Sequence, residues 1–213
     1  MVTQPNRGHR LFAALYDSIE RLNRRRTDEL RRAVAGAASG TVLELGCGTG
    51  GNFPFYTWSQ LTSLDATEPD PFMLKRATAK LAALPPEIQA KVHLYQVGAE
   101  KLPFPAAHFD SIVSTLVLCT VGDPAAALAE ARRVLKPTGR LLLVEHIAAR
   151  GLTYGFQRTL QPLWGHAAGG CQLTRHTEAA LAAAGFTLQV EERLKLAPFI
   201  PAFRGVATLG VSP

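Results

Sequence analysis

"TVLELGCGTGGNFPFY", Thr41 to Tyr56, is the stretch on which the reading of this chain turns. Its centre, "GCGTGG" (Gly46 to Gly51), fits two patterns. As G-x-G-x-x-G it is a dinucleotide fingerprint, whose glycines let the backbone approach a pyrophosphate at a helix N-terminus. As E-x-G-x-G-x-G from Glu44, it is a nucleoside loop with a carboxylate placed just ahead of it. Both need a strand before the loop, and "TVLELG" (41–46) is a short apolar run ending in glycine, the pattern of a buried strand. Both also need an acid at the end of the following strand to accept ribose hydroxyls. Glu68 stands 22 residues beyond Gly46, close to the usual spacing of about 20.

Two local features separate the patterns. A carboxylate at Glu44 would repel a pyrophosphate, whereas it suits S-adenosylmethionine (SAM), which carries an ammonium and a sulfonium and no phosphate. Pro54, in "NFPFY", would break the long helix that a dinucleotide fold lays against its phosphates.

Outward from the loop, strands alternate with helices. "QLTSLDATE" (60–68), "KVHLYQV" (91–97), "FDSIVSTLVL" (109–118) and "GRLLLVEHI" (139–147) read as further buried strands, with "FTLQVEERLKL" (186–196) and "FRGVATLGV" (203–211) as the last two. Asp70-Pro71 opens a helix through Leu84, with Asp as N-cap and Pro at the first helical position, and Asp123-Pro124 opens another. In the second, Ala127, Leu128, Ala131, Val134 and Leu135 share one face. A helix spans Thr153 to Trp164, and Thr174 is read as the cap of a helix ending at Gly185. The alternation predicts an α/β fold: a Rossmann-like seven-stranded, mainly parallel sheet with helices on both faces and the last strand antiparallel. Ligands then bind beyond the carboxyl ends of the strands.

The 213 residues are read as one domain. Residues 8–36 form an amphipathic helix, with Leu11, Leu15, Ile19, Leu22, Leu30 and Val34 on one stripe and Gly36 as its stop. Eight arginines crowd the first 32 residues and carry much of the net charge of +6. The stripe is expected to act as a lid over the cofactor pocket, or else to lie on an anionic membrane surface. No aromatic-interleaved basic patch accompanies it, so no nucleic acid partner is expected. No apolar run approaches the roughly 20 residues of a membrane span, and no signal peptide is read at the start. A cytoplasmic location is expected, with peripheral membrane contact as the alternative. Cys47, Cys119 and Cys171 lie far apart, with no CxxC pair and no zinc-type Cys/His spacing, so no metal site is expected. The oligomeric state is left open.

"VLELGCGTG", "EPDPFMLKRA", "AEKLPFPAAHFDSIVSTLVL" and "ALAEARRVLKPTGRLLLVEH" resemble, in order and spacing, the motifs of class I SAM-dependent methyltransferases. "RVLKPTGRLLL" is the most specific, although many members have Gly-Gly in place of Thr138-Gly139. "NFPFY", "TLVLCTV", "VEHIA" and "QPLWGHAAGGCQLTR" look like the branch that includes the microsomal alkyl thiol methyltransferases, a match over residues 10 to 210. Where that branch's membrane-bound members carry a hydrophobic anchor, this sequence has the basic amphipathic helix.

The resemblance implies that Gly46, Cys47, Gly48 and Gly50 lie under the SAM methionine and ribose, with Glu44 near the amino group. It implies Glu68 and Pro69 at the ribose hydroxyls, with Asp65 and Asp70 as rivals, although Asp70 already has work as an N-cap. Ala99 and Glu100 are the candidates for adenine, and Thr115 and Leu116 for the methionine tail. Tyr16, Val117, Cys119 and Trp164 are expected on the acceptor side, with His146 and Arg175 as polar groups and His166 and Cys171 as further polar candidates. His146, after the fifth strand, is the catalytic candidate. The expected reaction moves the SAM methyl group to a small apolar acceptor, a thiol first, leaving S-adenosylhomocysteine. The alternatives are phospholipid amines or quinone precursors as acceptors, or a non-catalytic SAM-binding module.

Overall fold

The computed structural model describes residues 24–210. Its elements are α1 (Arg24–Ala35), β1 (Gly40–Leu45), a 3₁₀ turn (Phe53–Phe55), β2 (Leu61–Thr67), α2 (Pro71–Ala82), α3 (Pro86–Gln89), β3 (Val92–Tyr95), β4 (Phe109–Thr115), α4 (Pro124–Val134), β5 (Leu135–His146), α5 (Gly151–Ala167), α6 (Thr177–Ala183), β6 (Phe186–Ala197) and β7 (Ile200–Leu209). The seven strands lie in the order β3-β2-β1-β4-β5-β7-β6. β1 to β5 pair in parallel, and β7 runs antiparallel to both β5 and β6. The expected sheet is thus present, with β1 and β4 at the point where strand order reverses. Tyr16 and the first part of the expected long helix lie outside the described residues.

Strand period and burial explain the layers. Leu43, Leu45, Ile112, Leu141 and Leu143 pack into one cluster with Leu128 and Val134 of α4 and Leu181 of α6. Their neighbours Val42, Val113, Leu142 and Val144 face the other side, against Leu30 and Val34 of α1 and Ala77 of α2. Successive side chains point to opposite faces, so strands buried on both faces must be apolar throughout. That is why these strands read as runs rather than alternations.

Helix starts follow their capping chemistry. The Asp70 carboxylate accepts from the backbone N–H groups of Phe72 and Met73, and the Asp123 carboxylate from those of Ala125 and Ala126. Several boundaries differ from the sequence reading, and three bear on the site. α6 begins only at Thr177, with His176 at the N-cap and no side-chain cap, so Thr174 does not cap it. β4 ends at Thr115, because Leu116 adopts φ +59, a left-handed backbone that terminates a strand. β5 starts at Leu135, directly from α4, without an intervening loop.

Candidate cofactor and acceptor site

The glycine loop leaves β1 at its carboxyl end. Gly46 and Gly48 both have φ of +57, which an L side chain adopts only under strain. Their surroundings differ. A Cβ on Gly46 would lie 2.8 Å from a Val117 methyl, whereas one on Gly48 would meet nothing within 4 Å. The loop therefore packs on Val117 beneath and opens above Gly48. Val117, expected on the acceptor side, is part of that floor and of the core. Pro54 sits within the 3₁₀ turn after the loop, and no long helix forms there.

Beside the loop lies a small cleft lined by Arg31, Glu44, Gly46, Gly48, Asn52 and Thr115, among others. Glu44 is buried and accepts from Asn52 Nδ2 at 2.9 Å and from the Tyr56 hydroxyl at 3.0 Å. Burial outweighs these bonds and pushes its carboxyl up to about 7. Asn52 Nδ2 also reaches Thr115 Oγ1 at 3.2 Å, while Asn52 Oδ1 is buried with no partner. At the end of β2, Glu68 accepts from the Gly48 N–H with one oxygen and from the Asp70 N–H with the other, both at 2.9 Å. Burial raises its carboxyl as well. Glu68 thereby ties the second strand to the loop and holds its carboxylate beside Gly48. Its rivals are engaged elsewhere: Asp65 faces the Tyr95 hydroxyl, and Asp70 caps α2. Cys47 is buried in the loop, with its backbone N–H on Thr67. Ala99 is in the core, and Glu100 accepts from the Gly122 N–H at 3.0 Å, linking the loops after β3 and β4.

Residues the sequence reading passed over complete the site. Arg31, Asn52 and Tyr56 converge on the Glu44 side of the cleft. Glu145, fully buried at the end of β5, accepts through one oxygen from Ser114 Oγ and from the Val117 and Leu118 N–H groups, each at 2.9 Å. Its other oxygen is buried without a partner. These bonds hold the strained turn at Leu116. The "E" of "VEH" was a signal in plain view, since a carboxylate inside an apolar strand is costly unless bonded.

At the acceptor edge, Cys119 follows β4, His146 ends β5 and Cys171 follows α5. Their side chains are all buried, and His146 Nε2 lies 2.9 Å from Cys171 Sγ. The Cys119 thiol donates to Leu116 O at 3.3 Å. The Cys171 thiol is pulled below its usual range by the Cys119 thiol and then by His146, while Cys119 is pushed up. The Trp164 indole N–H, with no partner in hydrogen-bond geometry, stands close enough to favour the Cys171 thiolate. Arg175 donates to Val121 O at 2.9 Å and lines an open hollow of ≈ 640 Å³ with Thr120, Gln172 and Thr174. His166 is exposed on α5.

A methyltransferase domain family matches residues 43–143. Over 208 residues the chain is 36% identical to the thiol S-methyltransferase TMT1B of Homo sapiens, covering 92% of this chain and 84% of that one. This chain belongs to the class I SAM-dependent methyltransferases. It is also 31% identical over 140 residues to a phosphatidylethanolamine N-methyltransferase of Cereibacter sphaeroides, covering 63% of this chain and 64% of the other. The fold matches the crystal structure of the YcgJ protein of Bacillus with a TM-score of 0.71 at 17% identity, over 87% of this chain and 98% of that one.

The methyltransferase's cleft fits its cofactor. The open space above Gly48 leaves room for a nucleoside, and the orphaned Asn52 Oδ1 and the Glu44 carboxylate offer acceptors to an ammonium. With SAM in the cleft, Arg31 would stand on the side of the methionine carboxylate, and Glu68, beside Gly48, would face the ribose hydroxyls. When bound, SAM supplies a methyl carbon activated by a sulfonium.

Proposed function

We propose that this methyltransferase acts on a small thiol. The reading is carried by the similarity to a thiol S-methyltransferase along nearly the whole chain. The buried sulfur and imidazole groups at the acceptor edge support it. The cofactor-side residues hold the donor in place: Glu44, Asn52 and Thr115 at the amino end, Glu68 with Pro69 at the ribose, and Ala99 and Glu100 toward the adenine. Cys47 walls the cleft, and Leu116 follows Thr115 at its edge. On the acceptor side, Cys119, Trp164 and Arg175 form the surroundings of the incoming group. A free thiol is a few per cent thiolate near pH 7, so placement in line and exclusion of water contribute more than a strong base. His146 serves the reaction from within the sulfur cluster, because its Nε2 faces Cys171.

The test is turnover of SAM against alkyl thiols, phospholipid amines and quinol precursors, following S-adenosylhomocysteine. Turnover with thiols supports the reading; turnover confined to amines or quinols overturns it. The phospholipid amine reading draws its support from the phosphatidylethanolamine N-methyltransferase relative.

The enzyme is further proposed to work on the cytoplasmic face of a membrane. Free cysteines suit a reducing compartment. Leu152, Phe156 and Leu163 of α5 are 96%, 52% and 71% exposed, and they fall within about 40° of one another on the helix. Such a stripe, with the arginine-rich start, favours lipid contact over a lid alone. No described helix is long and apolar enough to cross a bilayer.

A further inference from the structure

Cys119, His146 and Cys171 come from three separate segments, the turn after β4, the end of β5 and the loop after α5. Yet their ligand atoms all lie within 4.8 Å of one another. We propose that these three side chains bind a single zinc-class cation, with the fourth position left open for the sulfur of the acceptor. The fourth-ligand part rests on the thiol reading above; the cation site does not.

Geometry supports the assignment. Zinc bonds of about 2.3 Å to sulfur and 2.0–2.1 Å to nitrogen, set tetrahedrally, place ligand atoms roughly 3.5–3.8 Å apart. His146 Nε2 and Cys171 Sγ, 2.9 Å apart, lie closer than that, and no pair of ligand atoms lies beyond 4.8 Å, so side-chain adjustments of about an ångström or less close the site. The donor set is the second line of support. Two thiolates and an imidazole suit a borderline-soft cation and disfavour magnesium or calcium, which take oxygen ligands. The charges also balance. A divalent cation is neutralised by the two thiolates, and the thiol protons leave to bulk water.

Three protein ligands with one open position is the arrangement of catalytic rather than structural zinc. A thiol entering the open position would give up its proton to bulk water and be held as a thiolate. It then attacks the methyl carbon: a new carbon–sulfur bond forms, the sulfonium carbon–sulfur bond breaks, and its electron pair stays on the departing thioether. This gives the cluster a use that an inert buried cysteine lacks.

The test is titration of the full chain with Co²⁺, whose thiolate charge-transfer and d–d absorption report tetrahedral sulfur ligation. Saturation at one equivalent and displacement by Zn²⁺ are expected, with binding weakened in Cys119→Ser, Cys171→Ser and His146→Gln by more than the about 10- to 100-fold that loss of an outer-shell partner costs. Cys47→Ser retains the spectrum. Thermal unfolding of each variant identifies any that is unfolded, and two folded ligand variants suffice. An alkyl thiol should shift the d–d bands of the loaded protein. Absence of the cobalt spectrum in folded protein with all three thiols free overturns the site. So does an unchanged spectrum in the Cys119→Ser/Cys171→Ser double variant, and so does oxidation of this pair to a disulfide as isolated. Chelator-treated protein that shows no cobalt spectrum and methylates thiols at the full rate overturns the cation site and leaves the thiol reading intact. A cobalt spectrum in an enzyme that methylates only amines keeps the cation site and overturns its fourth-ligand role.

Discussion

Glu44 shows how one residue serves both cofactor choice and pH response. Buried between Asn52 and Tyr56, it titrates near 7 rather than near its ordinary 4.5. A raised carboxyl pKa means that the folded state holds a proton the unfolded state has lost. Cofactor-free protein should therefore lose stability as pH rises from about 4.5 to about 7. Urea midpoints should fall over that interval, and Glu44→Gln should flatten the part due to this residue. An ammonium beside Glu44 favours its ionised form, so SAM affinity should weaken as pH drops below about 7, with proton release seen by calorimetry at pH 6. Glu68→Ala removes the acceptor at the ribose and the tie to the Gly48 N–H. A charge-assisted bond contributes about 1.5–3 kcal/mol, so SAM affinity should fall about 10- to 100-fold; calorimetry reads this directly, and unchanged affinity removes the ribose assignment. Gly46 and Gly48 make a paired control. Both alanine variants carry left-handed strain of about 1–3 kcal/mol, but only Gly46→Ala also strikes Val117. Gly46→Ala should show the larger loss of thermal stability, and Gly48→Ala a loss of SAM affinity that exceeds its loss of stability.

The element that organises the site is the turn after β4. Leu116 has φ +59, and the bonds from Val117, Leu118 and Ser114 to Glu145 secure the chain on either side of it. Glu145→Ala leaves buried donors without partners and should cost about 3 kcal/mol, while Glu145→Gln, which keeps one acceptor oxygen, should cost about 1 kcal/mol. Chemical denaturation distinguishes these values. The sequence reading carried strand four on to Leu118, because apolar periodicity does not record a positive φ at leucine. It placed the starts of α2 and α4 correctly because Asp-Pro states its own geometry: the carboxylate caps and the proline cannot donate; their ends fall earlier than expected, at Ala82 and Val134, so Leu135 belongs to β5 and not to the helix face. Thr174 misled for the opposite reason, since a hydroxyl near a helix start caps only if the helix begins within reach.

At the scale of the whole molecule, the exposed stripe of α5 and the arginine-rich start make a joint prediction. Full-length protein should float with vesicles containing anionic lipid at low salt and be released at high salt, because surface charge is screened over about 10 Å at 0.1 M ionic strength. Leu152→Ser/Leu163→Ser should weaken flotation while leaving SAM affinity unchanged. The fold and the cofactor loop were legible from the order of the chain because they rest on local chemistry. Runs of apolar residues make strands buried on both faces, glycines permit a tight turn, and Glu44 and Pro54 lie within a few residues of the loop they qualify. The partners of those residues were not legible. Asn52 and Tyr56 around Glu44, Glu145 beneath Leu116, and the meeting of Cys119, His146 and Cys171 required the sheet to bring distant segments together. Sequence by itself determined the seven strands, the Asp-Pro helix starts and which cofactor the loop suits, since these depend on neighbours along the chain. Only the tertiary structure decided what stands beside each polar group, because parallel strands place residues tens of positions apart within hydrogen-bond distance at one edge of the sheet.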